Sequence, residues 1–308
     1  MERRFVVNNK VLDVIIVNYN STDASLACLK SIIGNCDGID PGIWVWDNKS
    51  KETPDAIRKL SPKVHLIENK KNIGFAAAVN RSLKRSNAPF VMLANPDTIF
   101  NKGCLAEVLA YFDQHPDVGV IGPRILNPDG SLQESARSFP NILSGFFGRT
   151  SLLTQLFPRN RISRYNLVSG NGNGKDPMSV DWVSGACMMV RRKAIEAVGG
   201  LDERFFMYWE DADWCRRMRE KGWRVMYYSG VSVCHLVGES SRTRPLRSSL
   251  NFHTSAYRLY AKYAEGSARF LKPMVFGMLA VRFCYTAAIR WMRNRGLWGG
   301  EALKGPPG

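Results

Sequence analysis

Over the first 120 positions, short continuous apolar runs alternate with stretches of helical period. Val11–Val17 is apolar except for Asp13, is rich in β-branched residues, and closes at Asn18-Tyr19-Asn20. A run of that kind reads as a strand covered on both faces. Ser21 and Thr22 offer N-caps for a helix through Ile33, because their side chains can accept from the first unpaired backbone N–H groups. Ile43–Trp46 predicts a second strand, ending at Asp47-Asn48. Thr53-Pro54 opens a short helix, with proline where its missing N–H costs nothing. Val64–Ile67 predicts a third strand and Gly74–Arg85 a helix. Phe90–Ala94 predicts a fourth strand, ending at Asn95-Pro96-Asp97, and Gly103–Gln114 a further helix. Strand and helix in alternation predict an α/β fold, a mostly parallel twisted sheet flanked by helices.

The pattern loosens afterwards. Asn127-Pro128-Asp129-Gly130 is a tight hairpin-turn signal. Residues 139–174 are rich in Gly, Ser, Arg and Asn, with two apolar patches. They predict loops with one or two short helices, of the kind that cover a sheet as a lid. Val180–Arg191 is β-like, and Asp202–Lys221 reads as a loop followed by a helix. Trp223–Tyr228 and Val231–Leu236 read as two strands. Asn251–Ala264 predicts an amphipathic helix. In Phe270–Met292, Arg282, Thr286, Arg290 and the following Arg293 recur at helical spacing as one polar stripe among Phe276, Leu279, Phe283, Ile289 and Trp291. A basic helix of that composition lies in a membrane interface. Docking on the main domain or on a second copy of the chain are the alternatives, so a homo-oligomer stays open. No stretch reaches the roughly 18 uncharged residues of a spanning helix. The apolar run near the N-terminus is too short, and lacks the cleavage site, for an export signal. Three regions follow: a main domain over 1–240, a basic amphipathic helical extension over 241–298, and a disordered tail over 299–308.

Charge sharpens the division. The chain of 308 residues has a net charge of +16, and residues 241–308 hold 12 basic and only 2 acidic residues. The partner of this tail is therefore anionic: a membrane, a nucleic acid or a phosphorylated substrate. The surplus sits beside an apolar helix and no nucleic-acid motif appears, which argues against a specific nucleic-acid partner. The seven cysteines are odd in number and show no Cys-x-x-Cys spacing, so they read as free thiols in a reducing compartment.

Asn18, Asp47 and Asp97 each follow a predicted strand. In open α/β sheets that rim binds ligands, although Asn and Asp also favour plain turns. Asn95-Pro96-Asp97 is either such a turn or a carboxylate for Mg²⁺ or Mn²⁺, cations that share their shell with diphosphate oxygens. Glu210, Asp211 and Asp213 stand within an aromatic run. Apolar surroundings and mutual repulsion raise carboxylate pKa values and suit one of them to act as a general base. The competing reading is the attraction of acids to a helix N-terminus. His235 ends a strand and either completes a metal shell or is structural. A bound nucleotide would find in Asp47 an acceptor for a pyrimidine N–H, with the Val17-Asn18-Tyr19 backbone on the same edge. The helix opened at Asn72-Ile73-Gly74 would face its phosphate or sugar. No Gly-x-Gly-x-x-Gly or phosphate-loop sequence is present.

Taken in order, VIIVNYNS (14–21), WDNKS (46–50), NIGFAAAVN (72–80), NPD (95–97), NPDGSLQESAR (127–137), SGACMMVRR (184–192), LDERFFMYWEDADWCRR (201–217) and HLVGESS (235–241) resemble the family-2 glycosyltransferases of GT-A fold, rhamnosyltransferase-like branch. The likeness spans roughly Val11 to Tyr263. It implies inverting transfer from a nucleotide diphosphate sugar with a divalent metal, Mg²⁺ or Mn²⁺. It divides the main domain into a nucleotide-binding part, about 11–123, and an acceptor and catalytic part, about 124–240. Val17, Asn18, Tyr19, Asp47, Asn72, Gly74 and Asn95 would bind the nucleotide. Asp97 matches the last Asp of the family's DXD motif, whose first Asp is Asn95 here, and His235 would be the other metal ligand. Asp211 would be the catalytic base, with Glu210 beside it. Trp182, Ser184, Gly185 and Trp209 would line the sugar or acceptor site. The resemblance implies transfer of L-rhamnose from dTDP-rhamnose to a lipid-linked or polysaccharide acceptor in bacterial cell-surface glycan synthesis. The enzyme would be cytoplasmic, on the inner face of the cell membrane. The alternatives are another donor, such as galactofuranose or a hexose from UDP, or a non-catalytic nucleotide-sugar or nucleic-acid binding protein.

Overall fold

The structure, a computed structural model, describes residues 11–36, 38–139, 176–236 and 245–295. Four parallel strands come first: β1 (Leu12–Asn18), β2 (Gly42–Asp47), β3 (Val64–Glu68) and β4 (Phe90–Ala94). Leu12, Val14 and Ile16 of β1 pack into one apolar cluster and Ile15 into another. Successive side chains point to opposite faces, so a strand with helices on both sides is apolar at nearly every position. Helices α1 (Thr22–Gly34) and α4 (Cys104–Gln114) cover the first face; α3 (Phe75–Leu83) covers the second. The short α2 (Asp55–Arg58) precedes β3. The one charge inside β1, Asp13, is buried but satisfied: it accepts from Trp44 Nε1 at 3.1 Å and from the Asn87 and Ala88 N–H groups at 3.0 Å.

Beyond β4 the sheet continues through β11 (Cys187–Arg191), β6 (Val118–Leu126), β12 (Arg224–His235) and β5 (Thr98–Phe100). β11 is antiparallel to β4 and β6, whereas β6 and β12 run parallel. Helices α5 (Arg192–Val198) and α6 (Glu210–Glu220) add to the second face. β6 escapes the sequence pattern because Gly119, Gly122 and Pro123 interrupt it. Those glycines answer to packing: a Cβ on Gly122 would lie 2.6 Å from Val183 Cβ, and one on Gly119 2.8 Å from Trp223 Cβ. The Asn127–Gly130 turn joins β6 to the short antiparallel β7 (Leu132–Gln133). The two strands expected over 223–236 are one strand, β12, whose register slips between Tyr228 and Ser232 at a bulge. Short β8 (Ala136–Arg137) and β10 (Trp182–Val183) pair with each other, and β9 (Met178–Ser179) pairs with β12. The loops expected over 139–174, Phe139 apart, and the tail 299–308 lie outside the described residues.

The C-terminal region is a helical hairpin. Helix α7 (Pro245–Tyr263) begins six residues before the expected start, with proline in its first position. A 3₁₀ turn (Gly266–Leu271) leads into α8 (Lys272–Asn294). The α8 stripe is inverted relative to expectation. Arg290 donates from Nη1 to Pro245 O at 2.8 Å, the Phe283 ring lies 5.9 Å from that of His253, and Ile289 is buried. Arg282 and Thr286 are half-buried on the same side. The exposed positions among the described side chains of α8, Pro273, Met274, Phe276, Gly277, Ala280, Val281, Cys284, Tyr285, Ala288 and Trp291, carry no charge. With its few charges counted in, Gly266–Met292 is long and apolar enough to cross a membrane by length and composition, and its most apolar 18-residue window has no buried residue. All seven cysteines are free.

Candidate active site

Two polar corners meet at the carboxyl ends of the central strands. In the first, His235 Nε2 lies 3.0 Å from Asp97 Oδ1 and 3.3 Å from Asn95 Nδ2. Both His235 and Asp97 are buried. The other ring nitrogen, Nδ1, is 2.8 Å from Gln133 Oε1. A carbonyl oxygen only accepts, so Nδ1 donates to Gln133, and Nε2 is the ring nitrogen turned toward Asp97. The β5–β12 pairing, Thr98 opposite His235, brings these residues together from 138 positions apart.

The second corner is the start of α6. Asp211 Oδ2 accepts from the Gly185 N–H at 2.8 Å and its Oδ1 from the Ala212 N–H at 2.8 Å. Burial pushes the Asp211 carboxyl above its ordinary range, and those two N–H groups and the Arg137 charge only partly offset it. Burial and then the Asp211 charge push its neighbour Glu210 up as well. Among the described residues, Glu210 Oε2 has no hydrogen-bond partner. The chain enters α6 through Tyr208 and Trp209, both left-handed at φ 72° and 70°. Such backbone costs of order 1–3 kcal/mol per residue and persists where the surroundings enforce it. Asp213, the third carboxylate of the run, faces elsewhere: Arg217 Nε, Lys262 Nζ and Tyr263 OH bind it at 2.9, 2.5 and 2.7 Å.

One short segment ties the corners together. Gly185 holds Asp211, and the next residue, Ala186, accepts at its carbonyl from Asn95 N at 2.8 Å and from Thr98 Oγ1 at 3.2 Å. Ser184 donates its N–H to Ser135 O at 2.8 Å, and its Oγ accepts from Ala186 N at 3.3 Å. Trp182 is buried, with its ring 5.9 Å from Trp209 and the Arg137 guanidinium 5.6 Å above it.

Along the β1–β2 edge, buried Asp47 accepts from Asn18 Nδ2 at 2.8 Å and from Ser50 N at 2.9 Å, and Ser50 Oγ lies 2.5 Å from it. Half-buried Val17 and Tyr19 flank Asn18. Asn72 Oδ1 accepts from Gly74 N at 2.9 Å. Gly74 is required by close approach: at φ 87°, its Cβ would fall 2.5 Å from Phe206 O. The Phe75 N–H donates to that same oxygen at 2.8 Å, which fixes the candidate nucleotide segment against the loop leading to Glu210. Gln133, Arg137 and Ser50 all stand in segments singled out in the sequence. Their contacts are tertiary, and no spacing announces them.

The sequence profile described as Glycosyl transferase family 2 matches residues 13–199, more than half of the chain. The chain belongs to glycosyl transferase family 2. A similar relative is the N-acetylglucosaminyl-diphospho-decaprenol L-rhamnosyltransferase of Mycobacterium tuberculosis, 33% identical over 82% of this chain and 85% of that protein. Another is the rhamnosyltransferase WbbL of Escherichia coli, 25% identical over 81% of this chain and 89% of its own length. Among solved structures, the mannosyltransferase PcManGT from Pyrobaculum calidifontis, in complex with GDP-Man and Mn²⁺, shares the fold. Its TM-score is 0.55 at 16% identity, covering 90% of this chain and 75% of that one. The fold of this glycosyltransferase is GT-A, and the profile match ends before Glu210, Asp211 and His235 are reached.

The first corner of the glycosyltransferase fits a divalent cation. An imidazole nitrogen and a carboxylate oxygen, 3.0 Å apart at the end of the strands, are two donor types that a divalent cation takes. That separation is also what two adjacent ligands with bonds of about 2.1 Å span in an octahedral shell. No group of three or more His, Cys, Asp or Glu side chains suited to a metal occurs among the described residues. Two protein ligands with the rest of the shell left to water and phosphate oxygens is the usual arrangement for such cations at diphosphate sites. Gln133 holds the imidazole from behind, as outer partners of metal-binding histidines do.

Proposed function

We propose that this glycosyltransferase moves L-rhamnose from dTDP-L-rhamnose to a lipid-linked glycan acceptor, inverting the anomeric configuration. The observation that carries the reading is the Gly185-Ala186 bridge, which links the Asp211 carboxylate to the Asn95–Asp97 corner through two adjacent residues. The two relatives that act as rhamnosyltransferases by name support the sugar, and the decaprenyl diphosphate in one name supports the acceptor. Asp47 would accept from the pyrimidine ring. Asn72, Gly74 and Asn95 would border the ribose and diphosphate. Asp97 and His235 would hold Mg²⁺ or Mn²⁺, which would supply positive charge against the departing diphosphate. Asp211 would take the proton from the acceptor hydroxyl as that oxygen attacks the anomeric carbon from the face opposite the leaving group. Trp182 and Trp209 would flank the sugars. One displacement inverts the centre, and no sugar is carried on the protein. A UDP-linked sugar is the second reading, since Asp47 addresses an edge that uracil and thymine share.

A thermal-shift panel of nucleotide sugars tests the donor. At a hundredfold excess over Kd, the fitting donor with Mn²⁺ should add about 2.7 kcal/mol. In a chain of this size that is a rise of several degrees. No rise with dTDP-L-rhamnose beside a clear rise with a UDP-sugar would transfer the proposal to the second donor.

The outward face of α8 supports action at a membrane surface, where a lipid-linked acceptor resides. Its apolar side chains would enter the bilayer, and the tail's basic surplus would meet anionic headgroups. Val281 and Tyr285 are 71% and 40% exposed. Replacing both by Asp should lower flotation with phosphatidylglycerol vesicles at least tenfold, since each buried apolar side chain contributes roughly 1.5–3 kcal/mol. Equal flotation of the double variant would remove the surface from the proposal.

A further inference from the structure

The turn before Glu210 is unfavourable in isolation, because two successive side chains with a Cβ sit in the left-handed region. What holds it is visible on both sides. On the donor side, Phe206 O accepts from Phe75 N, so the loop is fixed to α3 only up to residue 206. From Met207 onward the contacts come from α7. Ser255 Oγ donates to Met207 O at 2.9 Å, Ser248 Oγ and Tyr208 OH share a hydrogen bond of 2.5 Å, and the Phe252 ring lies 5.8 Å from Tyr208 and 5.5 Å from Trp209. Trp209 is thus flanked by Trp182 on one side and Phe252 on the other. Further along α7, Leu259 is buried in the cluster that includes Trp214, while Lys262 and Tyr263 bind Asp213 in the first turn of α6. Positions 248, 252, 255, 259, 262 and 263 recur at helical spacing and form one face. That face meets residues 207–214, and Lys262 and Arg258 of the same helix also reach Asp202 and the Arg204 carbonyl in the preceding loop.

We propose that α7 is the brace of the catalytic turn, with Ser248, Phe252 and Ser255 as positioning residues that set the Asp211 carboxylate against Gly185. Turnover therefore depends on α7 even when the acceptor is free in solution, apart from any membrane contact made by α8. The inference rests on the reading of Asp211 as the base. It concerns residues beyond the stretch that the family profile matches. A helix that merely filled space would protect the fold as a whole, and its variants would lose stability, donor binding and turnover together. A brace on one turn separates these quantities, because Ser248, Phe252 and Ser255 touch residues 207–209 and not Asp47, Asn72 or Asp97.

The test uses the full chain with dTDP-L-rhamnose, Mn²⁺ and a detergent-dispersed short-chain N-acetylglucosaminyl diphosphate prenol. Phe252→Ala should lower kcat at least thirtyfold, with the donor KM within twofold of the parent and the melting transition still above the assay temperature. Phe252→Leu should recover at least a third of the parent kcat. Ser255→Ala, a milder change that keeps the protein folded if Phe252→Ala does not, should lower kcat about fivefold with the same unchanged donor KM. Tyr208→Phe with Ser248→Ala should be no worse than either change alone, since both remove one bond. Unchanged kcat in Phe252→Ala and Ser255→Ala, or losses that track donor KM and melting temperature, would overturn the brace. Asp211→Asn in the same assay separates the two readings. If it stays active, the base assignment fails and the brace falls with it; if it is inactive beside an unimpaired Phe252→Ala, the brace alone fails.

Discussion

Asp211→Asn is expected to lower turnover about 10³-fold while the nucleotide sugar binds as before. The magnitude follows from the role, because a positioned general base contributes typically 10²–10⁴. The amide keeps the volume but loses basicity. It can also no longer accept from both Gly185 N and Ala212 N without turning its NH₂ group toward one of those donors. Donor binding is preserved because Asp211 reaches the Asn95–Asp97 corner only through the Gly185-Ala186 backbone, and the amide oxygen can still accept from Gly185 N. Single-turnover rates with donor saturating, together with donor affinity by calorimetry, separate the two quantities. The parent's pH profile adds a second check. Burial raises the carboxyls of Glu210 and Asp211, and a base works only when deprotonated, so turnover should fall as pH drops through that raised range. In Asp211→Asn the residual rate should lose that slope. A variant retaining more than a tenth of the parent rate would remove Asp211 from the chemistry.

Asp97→Ala and His235→Ala are expected to cost as much by a different route. If the cation sits between them as proposed, each leaves one of two protein ligands, whose atoms lie 3.0 Å apart. Charge on a departing diphosphate would then go unneutralised, a loss of several kcal/mol at the transition state. Both variants should lose the stabilisation that Mn²⁺ adds to a bound nucleotide diphosphate, which the thermal-shift assay reads without turnover. Chelation should silence the parent reversibly, with Mn²⁺ or Mg²⁺ restoring it. Gln133→Ala should be intermediate, weakening metal affinity 10–100-fold, because Gln133 holds the Nδ1 side of the ring and would be an outer partner of the proposed cation. Activity that survives chelation in the parent, or Mn²⁺-dependent stabilisation that survives in Asp97→Ala, would dissolve the cation site.

What the sequence tells of this molecule follows from where its information is local. β1 to β4 are legible because burial on both faces writes a continuous apolar run, and their polar ends mark the rim. β6 is not, because its glycines exist for Val183 and Trp223, residues far along the chain. β12 reads as two strands because a bulge breaks the period while the hydrogen-bonded ladder continues. Spacing on α8 tells which residues share a face but not which face is inward. Arg290 turns inward because it reaches a carbonyl at the start of α7. The site residues are legible as motifs, and residue chemistry gives their candidate roles with alternatives open; the resemblance narrows each to one role. Nothing local says that His235 meets Asp97, that Gln133 stands behind it, or that Asp213 belongs to α7 and not to the catalytic pair.

The Gly185-Ala186 bridge carries one more implication. These two peptide units act as a gauge block: one grips Asp211, the other the Asn95–Asp97 corner, and Cys187 immediately continues into a ladder with Ala94. Prising the two ends apart to admit a bulkier sugar would mean unzipping the middle of the sheet. Changing the room between the two corners of this chain therefore means changing side chains such as Trp182 and Trp209 rather than the backbone span that joins them.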